Sequence, residues 1–224
     1  MKQQFMKNQK IKGVIFDLDG TLIDSMNIWY NTDRKFLKEN GVENPPEDIS
    51  ERVKKLTIDK ASELFIKEFN LNCTVDYIIK RIEEIVRNEY FYNIPLKSGV
   101  IEVLDFLDRK NIPYGVATVT YKNLAETALK RLKIYDRMKF ILTSAEFPQG
   151  KKNPDIYLKC AEIMELPPEN VLVAEDSLHC IETAKSRNFI TAGVYDSLSA
   201  EDIHKIRDIS DYYFYTLDNL TDIL

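Results

Sequence analysis

Asp17 and Asp19 stand two residues apart in the string Val14-Ile-Phe-Asp-Leu-Asp-Gly-Thr21, directly after an apolar run. A buried strand of that type delivers both carboxylates at its downstream end. A second acidic pair, Glu175 and Asp176, follows the apolar run Val171 to Ala174. Thr118 closes the run Tyr114 to Ala117 with a hydroxyl, and Lys151 and Lys152 come just before Asn153-Pro154-Asp155, a helix-start string. Each group also has a structural reading: Asp-Leu-Asp-Gly as a solvated turn, Thr118 as the end of a strand, Asp176 and Ser177 as caps of the next helix. All the same, the carboxylates and Thr118 sit at the downstream end of a short apolar run, where an open parallel sheet carries its chemistry.

The elements that must position these groups can be read from periodicity. Ile11 to Asp17 reads as the first strand, and Gly20 supplies the backbone freedom to turn out of it, with the Thr21 hydroxyl and N–H able to hold an anion in the turn. From Met26 the pattern is helical for about 65 residues. The stripes are Ile28, Trp29, Thr32, Phe36, Leu37; then Ile49, Val53, Leu56; then Ala61, Leu64, Phe65, Phe69; then, after Thr74 as N-cap, Ile78, Ile82, Ile85, Val86. After Asn93-Ile94-Pro95 strands and helices alternate: strands over 113–118, 139–143, 171–174 and 190–195, and a short edge strand over 212–215, with helices over 99–110, 124–132, 154–165 and 181–186. The expected fold is an α/β, Rossmann-like parallel sheet core, residues 1–23 and 96–224, with residues 24–95 inserted as a helical domain.

Composition narrows the function. The chain has 224 residues, 44% hydrophobic and 30% charged, a net charge of −5 and a sequence pI near 5.3. No polybasic face offsets that charge, so nucleic acid is not an expected partner. No apolar run approaches a membrane span, and the start, MKQQFMKNQK, lacks the apolar core of a signal peptide, so the expected location is the cytoplasm. Cys73, Cys160 and Cys180 share no CxxC spacing, and with only two histidines, His179 and His204, a zinc site is not expected. The cysteines read as reduced core thiols.

The string hhhDxDGT at Val14–Thr21 resembles the first motif of the haloacid dehalogenase-like phosphohydrolase superfamily, in the helical-capped branch that includes small-molecule phosphatases and β-phosphoglucomutase. Tyr-Gly-Val-Ala-Thr118 resembles the second motif, Gly150-Lys-Lys-Asn-Pro-Asp-Ile-Tyr157 the third, and Val171-Leu-Val-Ala-Glu-Asp-Ser177 the fourth, in the family's order. The resemblance implies Asp17 as nucleophile, Asp19 as general acid and base, Thr118 and Lys151 as phosphate ligands, and Asp17, Asp176, Glu175 and the Asp19 backbone carbonyl around a metal. Lys152, where the family usually has Pro, is the solvated competitor of Lys151, and His179 reads as helix surface. All these ligands are hard oxygens, and four carboxylates beside a phosphate dianion repel strongly, so Mg²⁺ is the expected cofactor.

The implied activity is hydrolysis of a small phosphomonoester through an aspartyl-phosphate. Gly20, Thr21, Thr118 and Lys151 are the expected substrate contacts, joined by Lys54 and Lys55 in a segment that resembles the family's cap loop. Trp29 stands where the mutase carries a His, which favours hydrolysis. A mutase-like phosphotransferase and a non-catalytic phosphometabolite-binding module remain as alternatives. Asp19 argues against the second, since binding alone does not require it. Every motif is supplied by one chain, so a monomer suffices.

Overall fold

The computed structural model describes residues 11–53 and 56–224. The polar start of the chain and Lys54 and Lys55, both singled out above, lie outside the described residues.

The chain divides into two compact units. One contains the chain up to Asp24 together with Ile94–Leu224, and the other is Ser25–Asn93. The first is built on a parallel sheet that, among the described residues, has six strands: β1 (Gly13–Phe16), β2 (Tyr114–Thr118), β3 (Ile141–Thr143), β4 (Val171–Glu175), β5 (Ile190–Val194) and β6 (Tyr212–Phe214). Their order is β3-β2-β1-β4-β5-β6, so β1 is central, with β2 on one side and β4 on the other. That order reverses direction beside β1, and such a switch point opens a crevice at the carboxyl ends of the strands. β1, β2, β4 and β5 are buried along their whole length, which is why their sequences are apolar runs without alternation.

The helices of this unit are α5 (Val100–Lys110), α6 (Lys122–Arg131), α7 (Asp155–Met164), α8 (Leu178–Lys185) and α9 (Ile203–Ile209), numbered after four in the inserted unit. One face of the sheet, represented by Ile15, Ala117, Val171 and Val173, packs with Ile156, Tyr157, Cys160 and Met164 of α7 in a single apolar cluster. β2 and β3 approach closely at Gly115: a Cβ there would lie 2.6 Å from the Phe140 carbonyl oxygen and 2.6 Å from its ring.

The inserted unit holds α1 (Met26–Glu39), α2 (Ile49–Val53), α3 (Ile58–Phe69) and α4 (Val75–Tyr92). Phe36, Leu37, Ile49, Val53, Phe65, Ile78, Ile82 and Ile85 form its core, the residues that the helical stripes select. Thr74 caps α4, its hydroxyl accepting from the Tyr77 N–H at 3.2 Å. The chain leaves and re-enters the sheet unit side by side, through an antiparallel bridge of Ile23 with Leu96 and bonds from Asp24 N–H to the Pro95 carbonyl and from Lys97 N–H to the Leu22 carbonyl, both 3.0 Å.

Several expectations shift. Leu56 is exposed, so it does not join Ile49 and Val53 in a buried stripe. The strand expected over 139–143 shortens to Ile141–Thr143: the backbone bends at Lys139, although the Lys139 N–H still donates to the Tyr114 carbonyl at 2.8 Å and the Phe140 carbonyl accepts from the Val116 N–H at 2.9 Å. α7 starts at Asp155, with Pro154 at the cap and Asn153 extended, one residue later than the helix expected over 154–165. α9 was not foreseen from the sequence. It has seven residues and buries Ile206 alone, too little for a periodic signal. Cys160 and Cys180 are buried free thiols, and Cys73 is half-buried.

Candidate active site

Groups far apart in sequence, among them Lys151 and Asp17 at a separation of 134 residues, meet at the carboxyl ends of β1, β2 and β4. Asp17 directly follows β1, and its N–H is fixed by the Ala174 carbonyl of β4 at 3.0 Å, across the switch point. Gly20 adopts φ +83°, a left-handed conformation that glycine takes without strain. Leu22 and Ile23 then donate to the Leu18 carbonyl, each at 2.9 Å, closing the turn and folding the Asp17–Thr21 loop over the strand end.

Lys151 enters from a short 3-10 turn, Gly150–Lys152, that precedes α7. Only 3% of it is exposed, and its ammonium donates to Asp17 Oδ1 and, at 2.6 Å, to Glu175 Oε1. The other Glu175 oxygen accepts the Ser177 N–H at 3.1 Å. Glu175 therefore has both oxygens engaged and acts as the post that holds Lys151 against Asp17. Lys152, the competitor from sequence, is exposed. Asp176 is buried, and one carboxylate oxygen from each of Asp17, Glu175 and Asp176 lies within 4.8 Å of the others. Ser177 does not cap α8 through its side chain; its hydroxyl pairs with His179 Nδ1 at 2.8 Å.

Thr118, at the end of β2, is wholly buried. Its Oγ1 accepts the Thr120 N–H at 3.0 Å, which leaves its own proton free to be donated. Thr120 in turn donates its hydroxyl to Asp19 Oδ2 at 2.6 Å. Thr21 is fully buried, and among the described residues its hydroxyl has no hydrogen-bond partner. A buried hydroxyl left unmatched is costly, and here it lies in the turn that follows the two aspartates.

The electrostatics follow from this packing. Burial raises the Asp17 carboxyl well above its ordinary value; Glu175 adds to the rise, Lys151 opposes it, and Asp176 and Asp19 add further. Burial pulls the Lys151 ammonium down, but Asp17 and Glu175 outweigh it and hold the group well above the usual lysine range, so it stays charged. Among the described residues, four carboxylates, Asp17, Asp19, Glu175 and Asp176, thus gather around the buried Lys151 ammonium, so that carboxylates outnumber the ammonium groups there.

Sequence reasoning missed one residue here. Thr120 carried a signal: in Thr118-Val119-Thr120, period-two alternation puts both hydroxyls on one face, and the structure buries Thr120 to 8% exposure while Val119 is 62% exposed. His179 is exposed, as expected of helix surface, yet it also lines a cleft of about 500 Å³ with Val119, Ser144, Gln149, Lys151 and Lys152.

With the sheet order and this cluster in place, the class of protein is defined. The chain belongs to the haloacid dehalogenase-like hydrolase family, whose model matches residues 14–194. Among its relatives are a phosphorylated carbohydrates phosphatase of Thermotoga maritima, 27% identical over 79% of this chain and 81% of that one, and hexitol phosphatase B of Escherichia coli, 26% identical over 80% and 81%. Among solved structures, one from Thermotoga maritima assigned as a β-phosphoglucomutase matches with a TM-score of 0.84 and 25% identity, over 95% of this chain and 98% of that one. Among the described residues, no helix is long and apolar enough to cross a membrane.

Proposed function

We propose that this hydrolase is a Mg²⁺-dependent phosphatase that removes the phosphoryl group of a small phosphorylated carbohydrate by way of an aspartyl-phosphate on Asp17. The observation that carries the reading is the Asp17 carboxylate, held by Lys151 at the switch point inside a carboxylate cluster that is short of positive charge. Relatives named for phosphorylated carbohydrates and hexitols support the substrate class.

The donor set fits Mg²⁺, being made of hard carboxylate oxygens close together and undercompensated. Asp17 and Asp176 would hold the ion with the Asp19 main-chain carbonyl, and Glu175, occupied by Lys151 and Ser177, would stand beside it. When bound, the ion supplies charge neutralisation for the phosphoryl oxygens.

The chain's own groups do the rest. Lys151 and the Thr118 proton meet the phosphoryl oxygens, and the unmatched Thr21 hydroxyl offers a further donor. Asp17 attacks phosphorus, the P–O bond to the sugar breaks, and Asp19 gives its proton to the departing oxygen. Asp19 then takes a proton from a water, which attacks the aspartyl-phosphate and returns Asp17 and inorganic phosphate. The inserted helical unit is read as the cap that selects the leaving group, with Lys54 and Lys55 as substrate contacts. Trp29, in α1, favours hydrolysis over the mutase reading.

Multiple-turnover phosphate release from a panel of sugar and polyol phosphates that includes β-glucose 1-phosphate, with Mg²⁺ or with EDTA and with Asp17→Asn as control, tests this. Many equivalents per chain, requiring both Mg²⁺ and Asp17, are expected. Release that stops at one equivalent for every panel member overturns hydrolysis in favour of transfer or binding.

A further inference from the structure

We infer that Thr120 is a positioning residue for Asp19, which pins one carboxylate oxygen so that the other is presented to the leaving group. This deepens the phosphatase reading and rests on it. Asp19 lies on the loop after β1, half-buried, with its backbone in a bridge to Ile23. Thr120 lies beyond β2, 101 residues away in sequence, and only the packing of β1 against β2 brings the two together. Its hydroxyl donates to Asp19 Oδ2 at 2.6 Å, a short charge-assisted bond.

Thr120 is itself well anchored. Its N–H is held by the buried Thr118 Oγ1 at 3.0 Å, and its β-branched side chain has few rotamers. Thr118 and Thr120 therefore form one rigid unit at the end of β2: the first faces the phosphoryl group and the second faces the acid. With Oδ2 occupied, the transferable proton of Asp19 sits on Oδ1. As the P–O bond breaks, that proton passes to the departing alkoxide oxygen, while Oδ2 keeps its bond from Thr120. A valine at 120 keeps the shape and removes the pin; a serine keeps the hydroxyl.

The test exploits the leaving group. An alkoxide must be protonated as it departs, whereas p-nitrophenolate leaves as a stable anion without help. kcat/KM, which reports the steps through formation of the aspartyl-phosphate, is measured for the best sugar phosphate of the panel and for p-nitrophenyl phosphate in wild type, Thr120→Val and Thr120→Ser. Thr120→Val is expected to lose roughly 10- to 100-fold on the sugar phosphate, part of what general acid catalysis contributes, and less than about threefold on p-nitrophenyl phosphate, with Thr120→Ser close to wild type on both. An equal loss on both substrates, or no loss on the sugar phosphate, or a Thr120→Ser as impaired as the valine, overturns the positioning role while leaving the phosphatase reading intact. A wild type that turns over neither substrate overturns both.

Discussion

Replacing Asp17 by Asn should abolish turnover and, without divalent cations, make the protein more stable. The amide oxygen of the new side chain can still accept from Lys151, so the volume and one hydrogen bond survive while a charge is lost. Asp17 has two carboxylate neighbours, Glu175 and Asp176, with oxygens no more than 4.8 Å away. At an effective dielectric near 20, each repulsion at that distance is about 3.5 kcal/mol. The attraction to Lys151, at hydrogen-bond range, is about 6 kcal/mol on the same scale. The repulsions exceed it by about 1 kcal/mol, and the burial of Asp17, the largest cause of its raised value, adds to the imbalance. Asp17→Asn should therefore gain about 1–3 kcal/mol in EDTA near pH 8, with Tm rising ~2–4 °C per kcal/mol for a chain of this size.

The sign with pH follows from the raised native carboxyl. Wild type carries no penalty from Asp17 below the ordinary Asp value, and loses stability as pH rises from there through the raised native value. The advantage of Asp17→Asn should thus be small near pH 4 and grow upward. Added Mg²⁺ should raise the wild-type Tm more than that of the variant, because a ligand that binds the native state stabilises it in proportion to its affinity. Thermal melts in EDTA and in Mg²⁺ at several pH values measure all three. A variant less stable than wild type in EDTA at pH 8, or a gain that does not change with pH, would refute the account of an undercompensated cluster.

Two further outcomes concern the scaffold. Burial pushes the Asp33 carboxyl of α1 up to about 6 even though a hydrogen bond with Ser50 lowers it, so wild type should lose stability as pH rises from ~4 through about 6; Asp33→Asn should lack that dependence and melt higher at pH 8, by about 1–3 kcal/mol, in calorimetry of both proteins at pH 4.5 and 8. Gly115→Ala puts a Cβ against the Phe140 backbone and ring, so β2 and β3 must separate; a loss of about 1–3 kcal/mol in urea unfolding is expected, and an unchanged midpoint would show that the edge strand yields freely.

The strand ends were legible because a doubly covered parallel strand must be an apolar run, and the residue after it falls where such a sheet places its chemistry. That local rule singled out Asp17, Asp19, Thr118, Glu175 and Asp176 and separated the helical insertion by its change of period. Lys151 was legible from the Gly150–Tyr157 string, but whether it or Lys152 turned inward depended on a 3-10 turn that has no strong sequence signal. α9 escaped because it buries too few residues to leave a periodic trace, whereas β3 was expected and only its start moved, from 139 to Ile141. Sequence alone thus determined which side chains lie at the ends of strands, since burial acts on each strand separately. Only the tertiary structure decided which of them share a charge cluster and which hydroxyl holds which carboxylate: that Glu175 supports Lys151, that Thr118 keeps its proton free, and that Thr120 reaches Asp19. The bonds of Lys151 to Glu175 and Asp17 and of Thr120 to Asp19 join residues 24, 134 and 101 apart, and they exist only because β1 lies between β2 and β4.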